Sequence, residues 1–225
     1  RHLQEKVKRI QGIVDMRAGD MVVDIGSNDG TTLGAYPDNL LLVGLDPAGE
    51  KFRHYYAGHI NLISDFFSAG LLAQVFPGRK AKVVTSISMF YDLESPMDFA
   101  RDVASLLDPN EGIWVFEQSY MPLMLERNAY DTICHEHLEY YGMKQIVWPA
   151  ERVGLKIVDV ELNNVNGGSF SVVAALPSSR YAKGHGIVSR MLADEEATGL
   201  SGLTPYQAFF NRVEQSRHSL QEFVA

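Results

Sequence analysis

The sequence predicts an α/β protein with a seven-stranded mixed sheet: five parallel strands, then an antiparallel hairpin, with helices on both faces. From residue 21 to residue 117, short apolar runs alternate with stretches of helical spacing. The connections are about a dozen residues long, which suits right-handed crossovers between parallel strands. Two more strand-like runs, 155–162 and 169–176, are separated by a short connection and are therefore expected to pair antiparallel.

The bulk composition is that of an ordinary globular protein. The chain has 225 residues, enough for one well-filled α/β domain with a small appendage. It is 46% hydrophobic and 21% charged, and its formal charge of −8 argues against a general nucleic-acid surface. No apolar run is long enough to cross a membrane, and no secretory segment opens the chain. The single cysteine, Cys134, excludes an internal disulfide framework. We therefore expect a cytoplasmic protein without nucleic-acid or membrane partners.

The individual elements follow from periodicity and punctuation along the chain. The apolar runs that predict the parallel strands are 21–25, 40–45, 60–63, 81–88 and 113–116. Helical spacing and turn signals predict helices over 1–18, from the turn after Pro47 through Tyr56, over 68–76, 96–107 and 143–153. After the fifth strand the alternation stops, and residues 119–142 form a polar segment rich in aromatic residues.

The last part of the chain is predicted to be a helical extension. From Pro177 onward the sequence is linker-like and then helical. Thr204 and Gln207 have the spacing of a capping box, with Pro205 between them at a favourable first-turn position. We therefore divide the chain into a sheet domain, residues 1–176, and a C-terminal extension, residues 177–225.

The first strand ends in a loop that has the features of a ligand site. Asp24 ends an apolar run, and a G-x-x-x-G turn follows, with Gly26 and Gly30 at its ends. Ligands of open α/β sheets bind outside the carboxyl ends of the strands. The spacing differs from the G-x-G-x-x-G pattern of dinucleotide sites. Asn28 stands between the glycines, and Asn enters the left-handed region at low cost. Such a turn beside a carboxylate suits a zwitterionic or cationic ligand.

Three further strand ends carry candidate ligand residues. Asp46 lies 20 residues after Gly26, a spacing at which a carboxylate can accept both ribose hydroxyls. We favour this role over the alternative, in which Asp46 only caps the next helix. Asp65 and Phe66 end the third strand and could accept an adenine amino group and cover its ring, or could serve as a helix cap and a core side chain. Ser86 ends the fourth strand, where small polar residues are common.

Residues 134–137, Cys-His-Glu-His, allow three interpretations. His135 and His137 could share a face and bind a metal, but metal sites need three or four ligands and no second cluster stands out. The residues could also be satisfied polar groups of a loop. The third interpretation is general acid–base chemistry, because histidine titrates near neutrality and Glu136 could orient it.

The first loop resembles the first motif of class I S-adenosylmethionine-dependent methyltransferases. The family's acidic residue and glycines correspond to Asp24, Gly26 and Gly30, with Asn28 in the middle position. The resemblance implies a Rossmann-like fold whose sheet ends in a hairpin, and S-adenosylmethionine as cofactor. It further implies that Asp46 binds the ribose. It also implies that Asp65 and Phe66 bind the adenine and that Ser86 lies near the methionine moiety.

A narrower resemblance covers roughly residues 20–176. Residues 130–137, preceded by 116–120 and followed by the Asn-Gly-Gly-Ser of 166–169, are similar to C-methyltransferases that act on nucleotide-linked 4-keto-deoxyhexoses. The resemblance implies that His137 is the catalytic base and that Glu136 assists it. Tyr91 stands where that family has a histidine, and we expect its hydroxyl to donate a hydrogen bond to the developing enolate oxygen.

The resemblance also leaves alternatives open. The chain could methylate oxygen or nitrogen of a small molecule, or could be a non-catalytic S-adenosylmethionine-binding part of a larger enzyme. A nicotinamide oxidoreductase fits less well, because of the glycine spacing. Members of the sugar family also carry a zinc module and a second α/β domain that this sequence does not contain, so we expect a piece of a longer protein. We predict a small-molecule substrate and no metal, and leave the oligomeric state open.

Overall fold

The computed structural model describes residues 1–225 and contains one seven-stranded sheet. Five strands run parallel and two complete an antiparallel hairpin, as the sequence predicts. The strands are β1 Met21–Ile25, β2 Leu41–Leu45, β3 Asn61–Ile63, β4 Ala81–Ile87, β5 Ile113–Ser119, β6 Lys156–Asn163 and β7 Ser169–Ala175.

The order of the strands across the sheet is β3-β2-β1-β4-β5-β7-β6. The chain starts in the middle, moves outward to β3, returns to the other side of β1 and finishes with the hairpin. β7 lies between β5 and β6 and is antiparallel to both. One edge of the sheet is β3, which has only three residues. The strand order reverses at β1, with β2 on one side and β4 on the other, so the carboxyl ends of β1 and β4 mark the crevice where open α/β sheets bind ligands.

Eight helices accompany the sheet. They are α1 His2–Ile13, α2 Gly49–Phe52, α3 Ala69–Val75, α4 Pro96–Leu106, α5 Met121–Arg127, α6 Met143–Arg152, α7 His185–Ala197 and α8 Thr204–Val224. Even α8, with 21 residues, lacks the apolar run that crossing a membrane would require, and so does every other helix.

Helices cover both faces of the sheet. On one face, α3, α4, α6 and α7 bury the larger core, which includes Val23, Phe116 and Phe170. On the other face, α1 packs Val7 and Ile10 onto the strands. The inner strands are buried on both faces, which explains why their sequences are continuous apolar runs.

A buried ion pair attaches α1 to the carboxyl end of β5. Lys6 Nζ lies 2.6 Å from Glu117 Oε2, and both side chains are almost fully buried. Glu117 also lies 2.5 Å from the ring of His2 and accepts a hydrogen bond of 2.8 Å from the Asn163 side chain. The carboxylate is therefore compensated by several partners, as a buried charge must be.

Four expectations about the helices and strands differ from the structure. The first helix ends at Ile13, because residues 14–20 turn into β1. β5 continues to Ser119 rather than stopping at 116, because β7 pairs with its full length. The segment 119–142 contains a helix, α5, that the sequence pattern does not predict. The capping box proposed at Thr204 is absent, since no side chain caps the start of α8.

Candidate functional site

The loop after β1 has the conformation that its residues favour. Gly26, Asn28 and Gly30 have φ angles of 71°, 47° and 75°, so all three lie in the left-handed region. A Cβ atom at Gly30 would also lie 2.9 Å from the ring of Tyr56. Any larger residue at position 30 would therefore be both strained and crowded. The Tyr56 hydroxyl donates a 2.8 Å hydrogen bond to the carbonyl of Asn28 and holds the loop in place.

Asp24 is the buried acidic residue of this loop. Only 2% of the residue is exposed, and Thr85 donates a hydrogen bond to its carboxyl group. Burial raises the pKa of Asp24 from 3.8 to about 7; hydrogen bonds from Thr85 and Thr32 oppose the shift, and the charge of Asp46 adds to it. At neutral pH the carboxyl group of Asp24 is therefore partly protonated.

Asp46 joins the end of β2 to the loop after β1. One carboxylate oxygen accepts a 2.9 Å hydrogen bond from the Asn28 amide, and the other accepts a 2.7 Å hydrogen bond from the Ala48 amide. A carboxylate has about four acceptor positions, so two remain for hydroxyl groups of a ligand. The structure thus brings the predicted ribose residue and the glycine-containing loop together.

The other predicted cofactor residues differ in accessibility. Phe66 is 74% exposed at the end of β3, and Asp65 beside it is also exposed, with one oxygen accepting from the Phe66 amide. Ser86 is fully buried, and its hydroxyl accepts a 3.0 Å hydrogen bond from the Trp114 indole. Among these three residues, only Asp65 and Phe66 present side chains to an incoming ligand.

Tyr91 and His137 form the centre of the predicted catalytic site. Their ring centroids are 4.2 Å apart. The backbone amides of Leu138 and Glu139 both donate to the carbonyl of Tyr91, at 3.0 and 3.1 Å. These two bonds attach the segment after His137 to the turn that follows β4, so residues far apart in sequence are held together.

Neighbouring carboxyl groups surround this pair. Partial burial raises the pKa of Asp92, an effect that His137 opposes and Glu136 reinforces. Burial also raises the pKa of Tyr91, so its hydroxyl stays protonated near neutral pH. Glu136 is largely exposed and contacts Cys134 and His135 rather than His137. The chain contains no group of three or more His, Cys, Asp and Glu side chains arranged to hold a metal ion.

Met89 connects the two halves of the site. A Cβ atom built at Gly26 would lie 3.4 Å from Met89 Cγ, so the turn after β4 lies against the loop after β1. Ser88, just before it, has a φ of 54°, an uncommon conformation for serine that turns the chain at the strand end. Tyr91 lies two residues after Met89. The sequence therefore brings the glycine-containing loop and the Tyr91–His137 pair to the same edge of the sheet.

Two residues of the site were not predicted from the sequence. Tyr56 supports the loop after β1, but nothing in the local pattern distinguishes it from the neighbouring Tyr55, which is 64% exposed. Asp92 follows Tyr91 directly, and an acidic residue next to a candidate hydroxyl is a signal that could have identified it.

Two family models match the chain. One, described as a methyltransferase domain, covers residues 1–160. The other, described as the C-terminal domain of C-methyltransferases, covers residues 164–225. Together they leave only residues 161–163 unmatched, at the end of β6.

A curated relative and solved structures are similar to the chain. C-methyltransferase NovU of Streptomyces niveus is 29% identical over 225 residues, which are 99% of this chain and 53% of that protein. The chain thus spans about half the length of the relative. The N-methyltransferase NodS of Bradyrhizobium japonicum superposes with a TM-score of 0.54 at 11% identity, over 78% of this chain and 95% of NodS. The plantazolicin methyltransferase BpumL gives 0.58 at 11% identity, over 77% and 82%.

Proposed function

The chain belongs to the methyltransferase-domain family, whose model covers most of it, and we propose that it methylates a carbon atom of a nucleotide-linked keto-deoxysugar. The proposed methyl donor is S-adenosylmethionine. The similarity to a C-methyltransferase, and the match of residues 164–225 to a C-methyltransferase domain, support carbon as the acceptor. Residues 1–176 would carry the cofactor site and residues 177–225 a helical extension.

The residues at the carboxyl edge fit this cofactor chemically. Asp46 retains acceptor positions for the two ribose hydroxyls, and Asp65 has an oxygen free to accept from an amino group. The exposed ring of Phe66 can cover an adenine face. We assign the amino-acid part to the loop that contains Gly26, Asn28 and Gly30. When bound, the cofactor supplies a methyl group on a positively charged sulfur.

The proposed chemistry of the chain's own residues is proton transfer. A carbon next to a ketone becomes a nucleophile only after it loses a proton, which a positioned base can accept. We assign this role to a ring nitrogen of His137. The Tyr91 hydroxyl, protonated at neutral pH, can donate a hydrogen bond to the oxygen on which negative charge develops. Glu136 would orient a sugar hydroxyl, since its carboxylate is exposed.

One observation carries this proposal: the contact of Tyr91 with His137 at the same edge as the glycine-containing loop. The ring centroids of the proposed base and the proposed hydroxyl donor are 4.2 Å apart, which supports these two roles. Met89 connects this pair to the loop that would hold the methyl donor. The proposed reaction needs a base, a hydrogen-bond donor to the enolate oxygen and a methyl donor. All three are assigned to one crevice.

The test is methyl transfer by the His137→Ala variant to a nucleotide-linked 4-keto-deoxysugar. General-base assistance is typically worth about 10²- to 10⁴-fold, so we expect a rate loss of that order. The affinity for S-adenosylmethionine, measured by calorimetry, should change little. His135→Ala is the matched control, because its side chain is 91% exposed and lies two positions away. Equal rates for wild type and His137→Ala would remove this base from the mechanism.

Deuterium exchange distinguishes carbon from heteroatom acceptors. In heavy water without cofactor, the wild type should exchange the proton next to the sugar ketone, and His137→Ala should not. Methyl transfer without such exchange would favour oxygen or nitrogen as the acceptor.

A further inference from the structure

A buried carboxylate from the C-terminal extension contacts the start of α6. Glu195, in α7, is only 6% exposed. One of its oxygens accepts from the Tyr120 hydroxyl at 2.8 Å and from the backbone amide of Met143. The other oxygen accepts from the amide of Lys144 at 3.1 Å. One side chain thus satisfies three donors that come from two other elements.

These contacts make Glu195 the cap of α6. The first amides of a helix have no partner within the helix, and negative charge is favoured there. Caps normally come from the residue before the helix, but here that residue is Gly142, which has no side chain. A Cβ atom at Gly142 would lie 2.9 Å from both Glu195 Oε1 and Gln145 Oε1, so a larger residue would crowd the two side chains that accept hydrogen bonds at this helix start. The Gln145 side chain accepts a 3.1 Å hydrogen bond from the Gly142 amide, while the distant Glu195 caps the amides of Met143 and Lys144.

The capped end is continuous with the segment that carries His137. The amide of Met121 donates to the carbonyl of Tyr141 at 3.0 Å, next to the Tyr120 hydroxyl that Glu195 accepts from. At the other end, Leu138 and Glu139 are bonded to Tyr91, as described above. Residues 138–144 are thus held at one end by the turn after β4 and at the other by Glu195.

We propose that Glu195 is a positioning residue for the proposed reaction: it fixes residues 138–144 so that His137 faces Tyr91. The proposal rests on the proposed role of His137, but the anchoring of the segment can be measured without any reaction. It assigns the C-terminal extension a part in methyl transfer, since α7 supplies the buried group that orders the catalytic segment.

The test compares Glu195→Gln with Glu196→Gln, an adjacent and exposed control. The amide variant keeps the shape but offers one acceptor oxygen in place of two, so at least one donor loses its partner. We expect amide hydrogen exchange of residues 138–144 to rise about tenfold, the equivalent of about 1.4 kcal/mol. Exchange in β1 and β4 should stay unchanged, as should all exchange in Glu196→Gln.

Kinetics supply the second readout. Glu195→Gln should lower kcat about tenfold while leaving KM for S-adenosylmethionine unchanged, because the cofactor loops are not touched. Tyr120→Phe, which removes one donor and leaves both amides capped, should cause smaller changes in the same direction and serves if Glu195→Gln does not fold. Unchanged exchange of 138–144, or increased exchange with an unaltered kcat, would overturn the proposal. Absence of methyl transfer in the wild type would instead refute the proposed function, and exchange would still decide whether Glu195 anchors the segment.

Discussion

Asp24 places a buried carboxyl group two residues before Gly26, the first glycine of the loop after β1. Burial is the largest cause of its raised pKa, and the nearby negative charge of Asp46 adds to the shift. The raised pKa means that the folded protein holds this proton to about pH 7, while the unfolded chain releases it near 3.8. The contribution of Asp24 to stability is therefore fully present below about pH 4 and is lost as the pH rises through about 7.

Asp24→Asn should remove this pH dependence. At pH 8 the variant should be more stable than wild type by about 4 kcal/mol, since one pKa unit corresponds to about 1.4 kcal/mol. At pH 4 the two should be nearly equal. Urea denaturation at both pH values measures the difference, with Asp38→Asn, at an exposed position, as the control. A stability gain of the same size at both pH values would show that Asp24 is charged throughout.

Asp46 should matter for binding rather than for chemistry. Asp46→Ala removes the acceptor of the Asn28 amide and the expected partner of two ligand hydroxyls. Hydrogen bonds to charged groups are worth about 1.5–3 kcal/mol, so the affinity for S-adenosylmethionine should fall about 10- to 100-fold. Isothermal titration measures it, and Glu50→Ala, an exposed carboxylate one turn later, is the control. An unchanged affinity would withdraw the ribose assignment.

Single residues were predictable where few side chains can meet a backbone requirement. Asn28 was expected in the left-handed region, and its φ of 47° confirms this. For Ser86, the sequence did not show whether the side chain faces the crevice or the core. The structure directs Ser86 to the Trp114 indole in the core. Tyr56 was missed because its role depends on a contact with Asn28, 28 residues earlier.

At the scale of elements, periodicity located most strands and helices to within two residues. β5 was predicted too short because Glu117, Gln118 and Ser119 are polar, yet all three are buried against β7 or neighbouring side chains. The short helix α5 was missed because its seven residues are flanked by polar and aromatic residues. Asn128, in the left-handed conformation at its end, was the available stop signal.

The attachment of α1 to the sheet should depend strongly on its buried ion pair. Lys6→Met leaves the Glu117 carboxylate with His2 and the Asn163 side chain as partners. Breaking a buried ion pair typically lowers the free energy of unfolding by about 3–5 kcal/mol. Lys6→Met combined with Glu117→Gln should recover part of the loss. Chemical denaturation measures both, and Lys8→Met, on the exposed side of the same helix, should change stability little. A loss below 1 kcal/mol for Lys6→Met would mean that water or His2 compensates the carboxylate.

For the whole molecule, the division of the sheet into five parallel strands and a hairpin was predictable, whereas the order of the strands across the sheet was not predicted. The five parallel strands and the hairpin are confirmed, because crossover handedness and connection length restrict the topology. The packing of the extension was not predictable from the sequence. Glu195 reaches α6 across about fifty positions, and no local pattern records such a contact. The division at residue 176 stays a prediction.

Ligand-dependent melting tests the cofactor assignment on the whole chain. A ligand that binds only the folded state at 100 times its Kd stabilises the protein by about 2.7 kcal/mol. We therefore expect S-adenosylmethionine and its demethylated product to raise Tm by several degrees in differential scanning fluorimetry. NAD should have no comparable effect, because the glycine spacing differs from that of dinucleotide sites. A larger shift with NAD would reverse the assignment.

The three-residue edge strand β3 has a consequence for behaviour at high concentration. An exposed sheet edge is a template on which strands of other molecules can add, and very short edges are one way in which natural proteins suppress such growth. At this edge, β3 offers only the backbone groups of Asn61–Ile63, too few to recruit a foreign strand. Fibril growth would therefore have to start at another part of the molecule, away from the edge that carries the proposed adenine-binding residues.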